Sequence, residues 1–205
     1  MAIVSLVPES ARLTKIGLTV FNNDSASFDL GGRVDKNVQS IARGRIAKAK
    51  TQWTVREISY DGAALLGKLR SFGVPKAMAA ERIQEDLTDL IASNHLDAIL
   101  LIIPESADSF GIEGLGIWMR PGLISGIRFL FAHARIALEI IGPDGKALAL
   151  ASSSKASLKE LDAVALGVGP NLQDDIKPEL IDRFGEEILL LLGKTLNSEF
   201  DELGF

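Results

Sequence analysis

The most informative stretch of the chain is Ile127-Arg-Phe-Leu-Phe-Ala-His-Ala-Arg-Ile-Ala-Leu-Glu-Ile-Ile141. Its side chains alternate. Leu130, Ala132, Ala134, Ile136, Leu138 and Ile140 fall on one side, and Phe129, Phe131, His133, Arg135 and Glu139 on the other. A period of two makes this a strand with one drier and one wetter face. Gly142-Pro-Asp-Gly145 follows as a turn, and Lys146 to Ser154 returns as the hairpin partner. Just upstream, Asp97-Ala-Ile-Leu-Leu-Ile-Ile103 is apolar without alternation, which predicts a strand covered on both faces. Leu115 to Met119 adds another strand.

Further out, the pattern changes to helices. Lys15 to Phe21 reads as a buried opening strand, followed by a loop from Asn22 to Gly31-Gly32. Val34, Val38, Ile41, Ile46 and Ala49 fall near a 3.6 period, so Val34 to Ala49 is an amphipathic helix. Trp53 to Ser59 is a second strand. Asp61 to Phe72 is a short helix stopped at Gly73. Pro75 suits the first turn of the next helix, whose apolar face is Ala79, Ile83, Leu87, Leu90 and Ile91 and which ends at Asn94-His95. Leu180, Phe184, Ile188, Leu192, Leu196 and Phe200 mark a C-terminal helix of about six turns at roughly 3.6 residues each. The order is β-α-β-α-α-β-β-β-β-α. It predicts an α/β (α+β) fold with a mixed parallel and antiparallel sheet and helices packed on it. We expect one domain over residues 1–205, with a core at 14–154 and a C-terminal helical appendage at 176–203.

Composition narrows the function. The chain has 205 residues, 47% of them hydrophobic, enough to bury a core, and no cysteine. That excludes disulfides, thiolate metal sites and a Cys nucleophile. Two histidines, His95 and His133, cannot make a His-only zinc site, so no metal and no cofactor are expected. A net charge of −5 argues against nucleic acid as a partner. No apolar run spans a bilayer. The Met1 to Glu9 stretch lacks a basic n-region and is broken by Pro8, which is not a signal peptide. The expected location is the periplasm or cell envelope if a leader has been removed, and otherwise the cytoplasm.

The motifs that could carry chemistry are weak. Gly62-x4-Gly67-Lys68 approaches a Walker A loop, but Leu69 stands where Ser or Thr should bind Mg²⁺, and the intervening residues favour a packed helix. Gly111-x-x-Gly114-x-Gly116 leads into a strand and reads as a bulge or turn. His95 and Asp97 lie two apart, but no serine has a G-x-S-x-G setting. Gly31-Gly32 before a helix could present N–H groups to an anion. With Asn23 and Asp24 these glycines form the candidate ligand site. The basic run Arg33 to Lys50 is a solvated face, a polyanion surface, or a match for the acidic segment Asp174 to Glu202. An apolar anchor could come from Ser106 to Arg120, through Phe110, Leu115, Trp118 and Met119.

In order, several short features resemble a group of bacterial envelope domains. The opening strand ends in Phe21-x-Asn23 and is followed by a helix and a second strand, Thr54-Val-Arg-Glu-Ile-Ser59. Leu96-Asp97-Ala98-Ile-Leu-Leu-Ile places an Asp and a small residue before an apolar strand. Ala137-Leu-Glu-Ile-Ile-Gly-Pro-Asp-Gly-Lys146 is an apolar strand with an Asp-Gly-Lys turn. Together, over Lys15 to Ser154, they resemble the TolB N-terminal domain and the curli-secretion lipoprotein CsgG. Val20 stands where that group usually has Pro, and no lipobox cysteine is present. The resemblance implies a non-enzymatic binding or assembly module at the envelope, the soluble part of a lipoprotein, whose partner is another envelope protein or a second copy. Membrane contact would run only through an anchor outside this chain. The alternative is a small-ligand or nucleotide-binding protein, or an enzyme, using the loop after the first strand.

Overall fold

A computed structural model describes residues 1–15, 24–49, 53–71, 79–107, 112–121, 128–152, 157–163, 165–166 and 178–205. The strands are β1 (Ala2–Ser5), β2 (Ser10–Lys15), β3 (Asp24–Asp29), β4 (Ile99–Pro104), β5 (Ser106–Ala107), β6 (Ile112–Glu113), β7 (Leu115–Pro121), β8 (Arg128–Ala134), β9 (Ile136–Ile141), β10 (Ala147–Ser152) and β11 (Leu158–Leu161). The helices are α1 (Arg33–Ala49), α2 (Gly62–Ser71), α3 (Gln84–Ser93) and α4 (Pro178–Glu202), with a 3-10 turn at Ala79–Arg82. The fold is mixed α/β, as the sequence pattern predicts.

Two larger sheets have the orders β1-β4-β9-β10 and β11-β8-β7-β2-β3. We call them the first and second halves, because the same chain segments run through both. β1 continues into β2, β8 into β9, and the registers make β4 and β7 two parts of one interrupted row. The joints lie at one level. Pro8 has no N–H to continue a ladder between β1 and β2. The Glu105 N–H donates to the Arg135 carbonyl (2.9 Å), and the Arg135 N–H donates to that of Gly114 (2.8 Å). β1–β4 and β2–β7 pair parallel, and the other pairs in these two sheets are antiparallel.

One core cluster runs along both halves. It joins Ile3, Leu100, Ile117, Leu130 and Leu138 of the strands to Val34, Val38 and Ile46 of α1 and Phe184, Ile188, Leu192 and Phe200 of α4. α4 is therefore built into the core and is no appendage. Its wide apolar stripe is used almost all round, with Leu190 alone of Ile188 to Leu192 left exposed, at 54%. A second cluster lies on the opposite side of the first half only, where Leu65, Leu69, Leu87 and Ile91 of α2 and α3 meet Val4, Leu101 and Ile141. β4 is buried at every position, as its unalternating sequence requires.

The expected single strand at Ile127–Ile141 is two strands meeting at Arg135, and its face does not keep one character. Beyond Arg135 the expected wetter side is dry. Ala137, Glu139 and Ile141 are fully buried, and a Glu139 carboxylate oxygen accepts the Ala80 N–H (3.1 Å) at the 3-10 turn. The opening strand lies at Ala2–Ser5 and Ser10–Lys15, while the expected strand at 16–21 falls outside the described residues. Of Trp53 to Ser59, only Arg56 bridges a strand, parallel to Ala2. Asp24 to Asp29, expected as loop, is an edge strand. β11 was not expected at all.

The basic α1 and acidic α4 lie side by side. Arg33 pairs with Glu186, Arg45 pairs with Asp201, and an Arg45 guanidinium N–H donates to the Phe205 carbonyl (2.6 Å). Arg33 and Arg45 of the basic run are thus matched by the acidic helix, and Arg43 pairs with Glu57 (3.2 Å).

Candidate binding surface

Strand alternation splits the candidate anchor. Leu115 and Met119 on β7 turn into the core, 3% and 4% exposed. They cannot serve as surface anchors, because odd positions of β7 face α4. Trp118 points the other way and stays half-buried. Phe110 lies outside the described residues.

Register sets what surrounds Trp118. Across the second half, one row is Ser27, Arg12, Gly116, His133 and Leu158. The next is Ser25, Thr14, Trp118, Phe131 and Glu160. The Trp118 and Phe131 rings touch at 5.4 Å and 35°, an aromatic pair of the kind that stabilises a cross-strand neighbour. Phe129 is 43% and Leu158 is 50% exposed. None of these four belongs to either core cluster. Among the described residues, the helix that packs on β7 and β8 is α4, on the other side. Among the described residues, no helix packs on the outward side of the second half, where these apolar side chains lie.

His133 sits within that face but is 2% exposed. Gly116 makes room for it. A Cβ on Gly116 would lie 2.7 Å from the His133 ring and 2.2 Å from the Arg12 carbonyl oxygen, so no larger residue fits. Neither ring nitrogen has a hydrogen-bond partner of good geometry among the described residues. Burial is the main cause that lowers the His133 pKa to about 4. The Glu113 backbone acts in the opposite direction, and the Arg135 charge lowers it further.

A cleft of about 360 Å³ opens beside the first row. Ser10, Arg12, Ser27, Arg70, Glu113 and Gly114 line it, with Pro8 and Pro104 as walls. Two Arg70 N–H groups donate to one Glu113 carboxylate oxygen (3.1 and 2.7 Å). Nothing local in the sequence marks this cleft, since its residues come from five separated segments.

The candidate ligand site at Asn23, Asp24, Gly31 and Gly32 does not assemble. Asn23 lies outside the described residues. Asp24 and Gly31-Gly32 lie at opposite ends of six-residue β3, about 20 Å apart at the usual strand rise. Both glycines have φ of 69°, which a tight turn into a helix requires. The α1 N-terminus already holds an anion. The Glu9 carboxylate accepts the Val34 and Asp35 N–H groups (3.0 and 2.8 Å), and Asp29 accepts that of Gly31 (2.9 Å).

The remaining motifs are structural. Gly62 to Lys68 lies in α2, and Lys68 pairs with Asp86 at 2.5 Å. His95 follows the C-cap of α3 with φ of 50°. Its N–H donates to Ala92 (3.3 Å) and that of Leu96 to Ile91 (3.0 Å), the paired bonds of a Schellman end. His95 and Asp97 line a cavity of about 510 Å³ with Trp53, Arg56, Ile140 and Leu148, but no serine does. Among the described residues no cluster of His, Asp and Glu could hold a metal ion, and no helix is long and apolar enough to cross a membrane.

Compared with known proteins, the chain matches no family model, no curated protein and no solved structure.

Proposed function

We propose that this chain is a non-enzymatic binding or assembly module whose recognition surface is the open face of the second half. The observation that carries this is the contiguous apolar group of Trp118, Phe131, Phe129 and Leu158 on a sheet face outside both cores. Such a patch marks an interaction site when it is contiguous rather than scattered. Its occupant is an apolar segment of a different protein carrying a basic residue. Glu160, exposed beside Phe131, makes no ion pair among the described residues and would meet that charge. A second copy is disfavoured, because a net charge of −5 repels itself. Placement at the bacterial envelope rests on the resemblance of the Lys15 to Ser154 segments to TolB and CsgG-like domains. Fractionation of source cells with mass measurement of the N-terminal peptide tests it, and a cytosolic protein would remove that part.

The test of the surface uses two exposed apolar residues. A protein captured from source cells is purified and titrated against wild type, Phe129→Ser and Leu190→Ser. Phe129→Ser should weaken binding by about tenfold or more, while Leu190→Ser, on α4, should not. Equal binding by all three, or capture only of the chain itself, would sink the proposal.

A further inference from the structure

We infer that the cleft between β2, β6 and the end of α2 is a binding site for a small organic monocarboxylate. The inference does not depend on the docking reading, since it uses none of the aromatic residues.

Charge comes first. Arg12 and Arg70 contribute two cations and Glu113 one anion, so the cleft carries one net positive charge. Arg70 and Glu113 satisfy each other. Arg12 makes no ion pair among the described residues, and its guanidinium is the free charge.

Donor geometry comes second. Ser27 stands directly opposite Arg12, and Ser10 lies two residues back on the same face of β2. Two hydroxyls therefore flank one planar five-donor fork. The carboxylate on the wall is already engaged by Arg70, and Asp29, opposite Ser10, accepts the Gly31 N–H (2.9 Å), so the uncommitted groups lining the cleft around Arg12 are donors. A planar carboxylate matches the fork bidentately and has lone pairs left for the hydroxyls. A phosphate monoester, with close to two charges at neutral pH, would leave about one charge uncompensated here.

Shape comes third. Pro8 and Pro104 give rigid apolar walls on one side of an otherwise polar lining, which accommodates the short carbon skeleton of an acid. A volume of about 360 Å³ is at the lower end for ligand sites. The ligand is therefore a small acid with a short, partly apolar body.

The probe is phenylacetate, with phenylacetamide as its neutral counterpart and inorganic phosphate as a competing anion, followed by amide chemical shifts of the intact chain. Phenylacetate should produce saturable shifts at Ser10, Arg12, Ser27 and Gly114, with Kd of about 1 mM or tighter. Phenylacetamide should bind about tenfold or more weakly. Arg12→Gln should abolish the shifts, and Arg12→Lys, which keeps the charge but loses the fork, should weaken them several-fold. Arg12 is exposed, so both variants should melt as wild type does. No saturation by phenylacetate up to about 20 mM, equal binding of the amide, tighter binding of phosphate, or an unchanged Kd in Arg12→Gln would each overturn the assignment.

Discussion

The two halves of the strand system share their segments but not their cover. In the first half, β4 and β9 are buried on both sides, by α1 and α4 on one and α2 and α3 on the other. In the second, the side continuous with Ala137, Glu139 and Ile141 carries Gly116, Trp118, Phe129 and Phe131, and stands outside both cores. Alternation decides which way a residue points. Whether that side is dry depends on which helices the connections bring over it. α2, the 3-10 turn and α3 directly precede β4 in the chain, so they cover its half, and no helix among the described residues covers that side of the other.

The joint between the two faces is the most sensitive point of the sheet. Gly116→Ala should be the most damaging change. A Cβ there meets the Arg12 carbonyl at 2.2 Å, and a backbone atom cannot step aside without loosening the β2–β7 pairing. A loss of about 4 kcal/mol is expected, at the upper end for overpacking because backbone must shift. A chevron or urea midpoint close to wild type would show that β2 and β7 are not packed as described. Next in size is Leu101→Ala in the first half. Leu101 is fully buried with both sheet faces covered, and the cost should be about 3 kcal/mol.

The second half also differs in its response to pH, because His133 is a titratable group buried within its outward side. Burial holds its pKa near 4 in the folded chain, against an ordinary 6.5. The unfolded chain therefore binds the proton first as pH falls. Stability is full above about 6.5 and is lost progressively down to about 4, by on the order of 3 kcal/mol in all. Urea unfolding across that window should show the slope in wild type and lose it in His133→Leu, which keeps an apolar body over Gly116. A slope unchanged in the variant would assign the acid sensitivity elsewhere.

Where periodicity and cover agree, the sequence was a good guide. β4 without alternation is covered twice, and the apolar stripes of α1 and α4 both face the sheet. The turn at Gly142 to Gly145 holds Gly145 at φ of 74°, as its residues suggest. Short polar edge strands were not legible. Asp24-Ser-Ala-Ser-Phe-Asp29 lacks a buried face of its own and is a strand because β2 supplies its partner. The site was less legible still. Glu9 fills the α1 N-terminus from 25 residues away, and nothing local marks that contact. Arg12, Ser27, Arg70 and Glu113 share one cleft only through register and the approach of α2. Of the expected anchor residues, alternation alone separates Trp118 from Leu115 and Met119, and reading it along β7 from the sequence would have sorted them.

The smallest expected effect is also the cleanest contrast. Phe129→Ser removes a large side chain at the open face, where it is 43% exposed and belongs to neither core. Its stability cost should be small, within about 1 kcal/mol, because part of its surface is already in water and no core packing is lost. Leu101→Ala removes fewer carbon atoms, yet should cost several times more. Measured side by side by urea unfolding, the pair isolates cover from side-chain size. If Phe129→Ser cost as much as Leu101→Ala, the outward side of the second half would be packed in solution, and the surface assigned to a partner would already be occupied by the chain itself.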